Sequence, residues 1–160
     1  MKEKRGEHPF GDAGQLILLA VFLVVWVSDS FYLHWSTFLS NLIPHSVRMG
    51  LLYIMLIAVG ILLWTGRFII SGQERPHYVV NTGPFRYVRH PLYLAAMLGY
   101  IGAAISSFSL FSFALLIPIV IFYNYIASYE EKLLESKFGE AYREYERKTG
   151  KWLPRREQKS

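Results

Sequence analysis

The sequence contains no cysteine, which excludes a disulfide framework and any thiolate metal site and leaves the redox compartment unreadable. Charge is also scarce: 18% of the 160 residues are charged, against 52% hydrophobic and 16% aromatic. His34, His45, His77 and His90 show no metal-ligand spacing, so no metal site is expected. Internal repeats, low-complexity tracts and interdomain linkers are absent, and a single domain over residues 1–160 is expected. The net charge is +5, yet no basic groove with stacking or base-reading groups is arranged for nucleic acid.

What the chain has in abundance is long apolar runs. A bilayer core is crossed by about 20 helical residues at about 1.5 Å rise each, and four runs approach that length: about 16–35, 47–70, 91–107 and 110–129. The expected fold is therefore an all-α integral membrane protein with about four transmembrane helices. The basic opening MKEKRGEH before the first run has the outline of a secretory leader. The stretch VSDS lacks a small-residue cleavage pattern, and the apolar character resumes with FYLHW, so a retained anchor is expected. Lys and Arg number three in residues 1–15, one in 36–50, four in 64–92, none in 106–109 and nine in 128–160. That alternation predicts both termini on the cytoplasmic side. The basic tail would add affinity for an anionic leaflet.

The most polar internal segment, SGQERPHYVVNTGPFRYVRH at residues 71–90, carries Gly72, Pro76, Gly83 and Pro84 as breakers. Loops of this length are commonly functional or disordered; the interspersed Tyr78, Val79, Val80, Phe85 and Tyr87 favour an ordered cytoplasmic loop. Past the fourth run, Leu133, Leu134, Phe138, Ala141, Tyr142 and Tyr145 recur at helical spacing against a charged face. An amphipathic helix at about 130–149 is expected, ended by Gly150 and Pro154.

Chemistry concentrates at the third run. Pro91 suits the first position of a helix, where its missing N–H has no partner to lose, and His90 is expected to cap it. The unpaired N–H groups behind it, with Arg86 and Arg89 beside, would favour an anion such as a carboxylate or phosphate. Juxtamembrane arginines also arise from positive-inside bias alone. A helix out from Pro91 and another back from Leu110 would return Glu130 and Glu131 to the side of His90. Those carboxylates would pair with nearby cations or bind ligand. Asp29 lies inside the first run, where an ionisable group costs about 2.5–3.5 kcal/mol on insertion scales. It is expected to face protein, with Ser28, His34 or Arg67 as partners. Pro118 is expected to kink the fourth helix, and Gly99 and Gly102 to permit close helix packing.

The pair GPFRYVRHPLYL and EEKLLESKFGEAYREY, separated by two spans, resembles the isoprenylcysteine carboxyl methyltransferase and phospholipid methyltransferase superfamily of membrane enzymes. The resemblance covers about residues 71–154. It implies S-adenosylmethionine as methyl donor, with cofactor contacts on His77, Tyr78, Val79, Val80, Phe85 (where many relatives carry Tyr), His90, Pro91, Leu92, Tyr93 and Glu130. Arg89 is expected to orient an anionic acceptor, and Glu131 or His90 to serve as base if the acceptor is an amine. Where prenylcysteine-specific relatives carry an arginine for the acceptor carboxylate, this chain has Ile126, with Asn124 and Tyr125 nearby. The implied acceptor is lipophilic and reaches the site from the bilayer: a prenylcysteine, an amino-headgroup phospholipid or a small isoprenoid compound. Competing readings are a non-enzymatic membrane scaffold and a nicotinamide-dependent sterol-type reductase, the latter disfavoured because those chains carry many more spans.

Overall fold

The computed structural model describes residues 11–71 and 78–155. Among these residues there is no strand. The helices are α1 (Gly11–Val27), α2 (His45–Ser71), α3 (Pro91–Ser107), α4 (Leu110–Phe138) and α5 (Glu140–Lys148). α1 runs on into a widened π turn, Ser28–Leu33, which stops where His34 takes a left-handed φ of 53° and its N–H donates to the Asp29 carbonyl at 2.9 Å.

Contacts between helices fix the directions of the four long helices. Gly14 faces Phe122 and Trp26 reaches the Ala103 carbonyl, so α1 ascends with α3. Arg48 donates to the Ser106 carbonyl at one end of α2 and Gly66 faces Leu92 at the other, so α2 descends with α4. The order is up, down, up, down. Between α3 and α4 the turn is tight: Phe108 adopts a φ of 55°, and Ser109 caps α4 by accepting from the Ser112 N–H.

α2 and α3 are the most closely packed pair. A Cβ placed on Gly102 would lie 3.3 Å from both Leu52 and Met55, so this glycine serves the close packing expected of it. Gly99 has nothing within 4 Å and plays no such part. The interior is narrow and aromatic, built from Phe22, Met97, Tyr100, Ile119, Tyr123 and Ile126. Around it, Val24, Ile54, Ile57, Trp64, Phe68, Ile117 and Ile121 stand exposed. In water such an apolar surface would drive aggregation; in a bilayer it faces solvent of its own kind. Three helices, Gly11–Leu33, His45–Ile69 and Leu110–Phe138, are long and apolar enough to span a membrane, and Pro91–Ser107 is a shorter apolar helix. At about 1.5 Å per residue its 17 residues reach about 25 Å, close to the hydrocarbon thickness. This is an all-α integral membrane protein.

Two expectations need correction. The amphipathic segment does not begin as a separate helix at 130. Nothing in EEKLLESKF breaks a helix, so α4 continues to Phe138 and stops only where Gly139 takes φ 57°, leaving α5 as a short separate turn of chain. Pro118 lies inside α4. Asp29 faces protein, but not with the anticipated partners. Its carboxylate accepts from the Ser36 N–H at 3.0 Å and from the hydroxyls of Ser36 and Ser109.

Candidate functional site

The reach of the chain brings two distant segments together at the lower end of the bundle. His90 occupies the position before α3, but its side chain makes no cap hydrogen bond. Instead the imidazole turns toward α4, with Nε2 3.1 Å from Glu131 Oε1 and Nδ1 3.8 Å from Glu130 Oε2. One turn into α3, the Tyr93 hydroxyl donates to the Glu130 carboxylate. The rings of His90 and Tyr93 stack at 5.7 Å, and Tyr93 meets Tyr123 of the core at 5.5 Å. The positive end of α3 is thus met from within the chain, by the acidic pair that begins forty positions after His90.

Arg89 is the hub of a second layer. Its Nη2 lies 2.9 Å from Glu131 Oε1 and 3.1 Å from Glu146 Oε1, while Nη1 donates to the carbonyls of Thr149 at 2.8 Å and Glu146 at 3.3 Å. With 9% of its side chain exposed, this guanidinium is committed to holding the chain's end. Its backbone does the same, since the Arg89 N–H donates to the Gly150 carbonyl at 2.9 Å beside an isolated Val88–Gly150 bridge. Glu131 is equally occupied: Lys151 Nζ approaches its other oxygen at 3.1 Å and donates to Ser128 Oγ at 2.7 Å. Trp152 follows, its ring 5.7 Å from that of His90.

α5 closes the arrangement. Tyr142 is 2% exposed, and burial first, then the Glu131 carboxylate, pushes its phenol up from the ordinary range. Burial likewise raises Tyr145 to about 12; its hydroxyl donates to the Phe85 carbonyl at 2.6 Å and ties the 83–86 turn to α5. Between that segment and α5 opens a cavity of about 1690 Å³, bordered by Tyr78, Val79, Arg86, Lys137, Tyr145 and Thr149 among others. Thr149 belongs both to this lining and, through its carbonyl, to the Arg89 hub.

The residues expected to contact a cofactor therefore fall into distinct groups. His90, Pro91, Tyr93 and Glu130 meet at the base of α3 and α4. Tyr78 and Val79 border the cavity, Phe85 joins it through Tyr145, and Val80 is half-buried. Leu92 points to Gly66 of α2. His77 lies outside the described residues. Arg86 is exposed on the cavity side and stands apart from the Arg89 hub. Lys151 and Trp152 escaped sequence reasoning altogether. Their only signal was a Lys-Trp pair directly after the breaker Gly150. Among the described residues, no group of three or more His, Cys, Asp or Glu is placed to hold a metal ion.

An α-helical membrane bundle whose basic helix start meets an acidic pair defines the class, and comparison with known proteins supplies the family. The profile of the phospholipid methyltransferase family matches residues 46–141, more than half of the chain and including α2, α3 and α4. The chain belongs to the phospholipid methyltransferase family, and this membership supports a membrane methyltransferase. It is 34% identical over 113 residues, 70% of its length, to the cobalt-zinc-cadmium resistance protein CzcN of Cupriavidus metallidurans. It is 32% identical over 110 residues, 68% of its length, to the nickel-cobalt-cadmium resistance protein NccN of Alcaligenes xylosoxydans xylosoxydans. The chain spans about half the length of these curated relatives, 50% of each. No solved structure matches.

Proposed function

We propose that the chain transfers a methyl group from S-adenosylmethionine to a lipophilic acceptor that reaches the site from the bilayer. The observation that carries this reading is the meeting of His90, Tyr93 and Glu130 where α3 begins, joined through Arg89 and Thr149 to a cavity bordered by Tyr78 and Val79. The fit to the donor is chemical. A sulfonium is attracted to aromatic faces, which His90 and Tyr93 provide. Glu130 offers a carboxylate to ribose hydroxyls or to an ammonium. The cavity exceeds the roughly 300–1,000 Å³ of ordinary small-molecule sites, so space does not exclude such a ligand.

S-Adenosylmethionine supplies an already activated methyl group. The chain's residues would then align donor and acceptor and keep water away. In this reading Arg89 and Glu131 change roles. Arg89 spends its donors on Glu131, Glu146 and Thr149, and Glu131 accepts from Arg89, His90 and Lys151. They position His90 and the end of the chain, where the sequence had suggested an acceptor-orienting cation and a base. For an amine acceptor, His90 is the group nearer to the aromatic cluster and takes the proton.

Acceptor class follows from the family and from what the site lacks. Ile126, at the position where prenylcysteine-specific relatives carry arginine, is fully buried in the core, so no cation there receives a carboxylate. An amino-headgroup phospholipid fits better than a prenylcysteine. The names of the two relatives add a physiological setting, in which modification of a membrane constituent contributes to metal tolerance. The test is to incubate the purified protein in nanodiscs of mixed bacterial lipids with a radiolabelled methyl donor. Label is expected in an amino-headgroup lipid and is lost in His90→Ala; label in no lipid fraction contradicts the reading.

A further inference from the structure

The segment after α5 is fastened from several sides. Gly150 is bridged to Val88, Arg89 holds the Thr149 and Gly150 carbonyls, and Lys151 reaches back to Ser128 and Glu131 on α4. The turn that follows is so tight that a Cβ on Gly150 would lie 1.8 Å from the Leu153 carbonyl oxygen. These contacts fix Trp152. One side of its indole meets His90 at 5.7 Å, and the residue packs on the aromatic core that contains Tyr123 and Ile126. Its Nε1 points to Asn124 Oδ1 at 3.4 Å, and Asn124 and Tyr125 are exposed where α4 leaves its apolar stretch. Trp152 therefore touches the histidine of the candidate donor site and the outward face of α4 at once.

Resting on the methyltransferase reading above, we propose that Trp152, with Asn124, is the acceptor-positioning wall of this site. An indole with an apolar body and one N–H is suited to a boundary between bilayer and water. Ile126 is shut inside the core, so the surface one half-turn earlier, Asn124 under Trp152, is what the chain presents to a headgroup arriving beside His90. That surface is a neutral amide and an aromatic face, with the Lys151 ammonium 6.0 Å from the indole and balanced by the Glu131 carboxylate. It favours headgroups carrying a cationic or neutral nitrogen over a bare carboxylate.

The test uses the full chain in nanodiscs and reads the fluorescence of Trp152 as the difference between wild type and Trp152→Phe. Phosphatidylcholine brominated near the headgroup is expected to quench that component by more than half, and S-adenosylhomocysteine is expected to shift its emission. Trp152→Ala and Asn124→Leu are expected to keep S-adenosylhomocysteine affinity within about twofold, a change well under 1 kcal/mol. Calorimetry of the wild type with S-adenosylhomocysteine separates the two levels of the argument. No binding there removes the donor reading and this wall with it. Binding accompanied by a Trp152 component silent to the nucleoside or to brominated lipid, or donor affinity lost in both variants, overturns the acceptor role alone.

Discussion

Both ends of the helix bundle hold a sheltered carboxylate, and they are satisfied in opposite ways. At the upper end, Asp29 is surrounded by hydroxyls and an amide: Ser36 and Ser109 donate to it, and Ser109 in turn accepts from Ser112. At the lower end, Glu131 is surrounded by Arg89, His90 and Lys151. A ring of neutral donors joins the end of α1 to the α3–α4 turn. A cluster of alternating charges beside a cavity is costly to desolvate and is weak as a device for stability alone. The contrast assigns stapling to the first and, on the proposed methyltransferase reading, function to the second.

Breaking the lower cluster should have the largest effect. Arg89→Met leaves Glu131 only His90 and Lys151 and takes the guanidinium from Glu146 and the Thr149 carbonyl, and removing one member of a buried ionic set typically costs about 3–5 kcal/mol. Thermal unfolding in detergent should fall by several degrees, and limited proteolysis should release the segment after α5. The upper staple is expected to matter less. Asp29→Ala leaves the Ser36 N–H and two hydroxyls without their acceptor, a loss of about 1–3 kcal/mol, whereas Asp29→Asn should retain part of it. Neither Asp29 variant should change S-adenosylhomocysteine affinity in folded protein; a tenfold loss would erase the division between the two ends.

A smaller effect separates α5 from both. The Tyr145 phenol is raised by burial to about 12, so its proton is held more tightly in the folded chain than in the unfolded one. Its contribution to stability is complete below pH 10, where an ordinary tyrosine ionises, and is lost as the pH rises toward 12. Tyr145→Phe should lower stability by about 1 kcal/mol near neutrality through the lost bond to Phe85. It should also flatten the decline above pH 10; an unchanged alkaline profile would contradict the assignment.

How much of this the sequence discloses depends on distance along the chain. The hairpin of α3 and α4 was legible because two helix lengths and one short turn dictate that Glu130 comes back to His90. The glycine contact at Gly102 followed from the same logic. Partners that depend on side-chain direction were not legible. Arg89 could serve a ligand or the chain, and only the fold shows Thr149, 60 residues later, taking its donors. Asp29 pairs with Ser109, 80 positions away, through a turn whose geometry rests on a left-handed Phe108 that no propensity announces. The boundary between α4 and α5 was misplaced because the amphipathic pattern runs through both, and Gly139 alone supplies the break.

The most direct measurement is a double-mutant cycle on S-adenosylhomocysteine binding, read by calorimetry for wild type, His90→Ala, Glu130→Gln and the double variant. If the start of α3 and the turn of α4 that carries Glu130 hold one donor molecule, each single change weakens binding at least tenfold, about 1.4 kcal/mol, and the two losses are not additive. Wild-type protein that binds no S-adenosylhomocysteine, or single variants that bind it as the wild type does, would contradict the account.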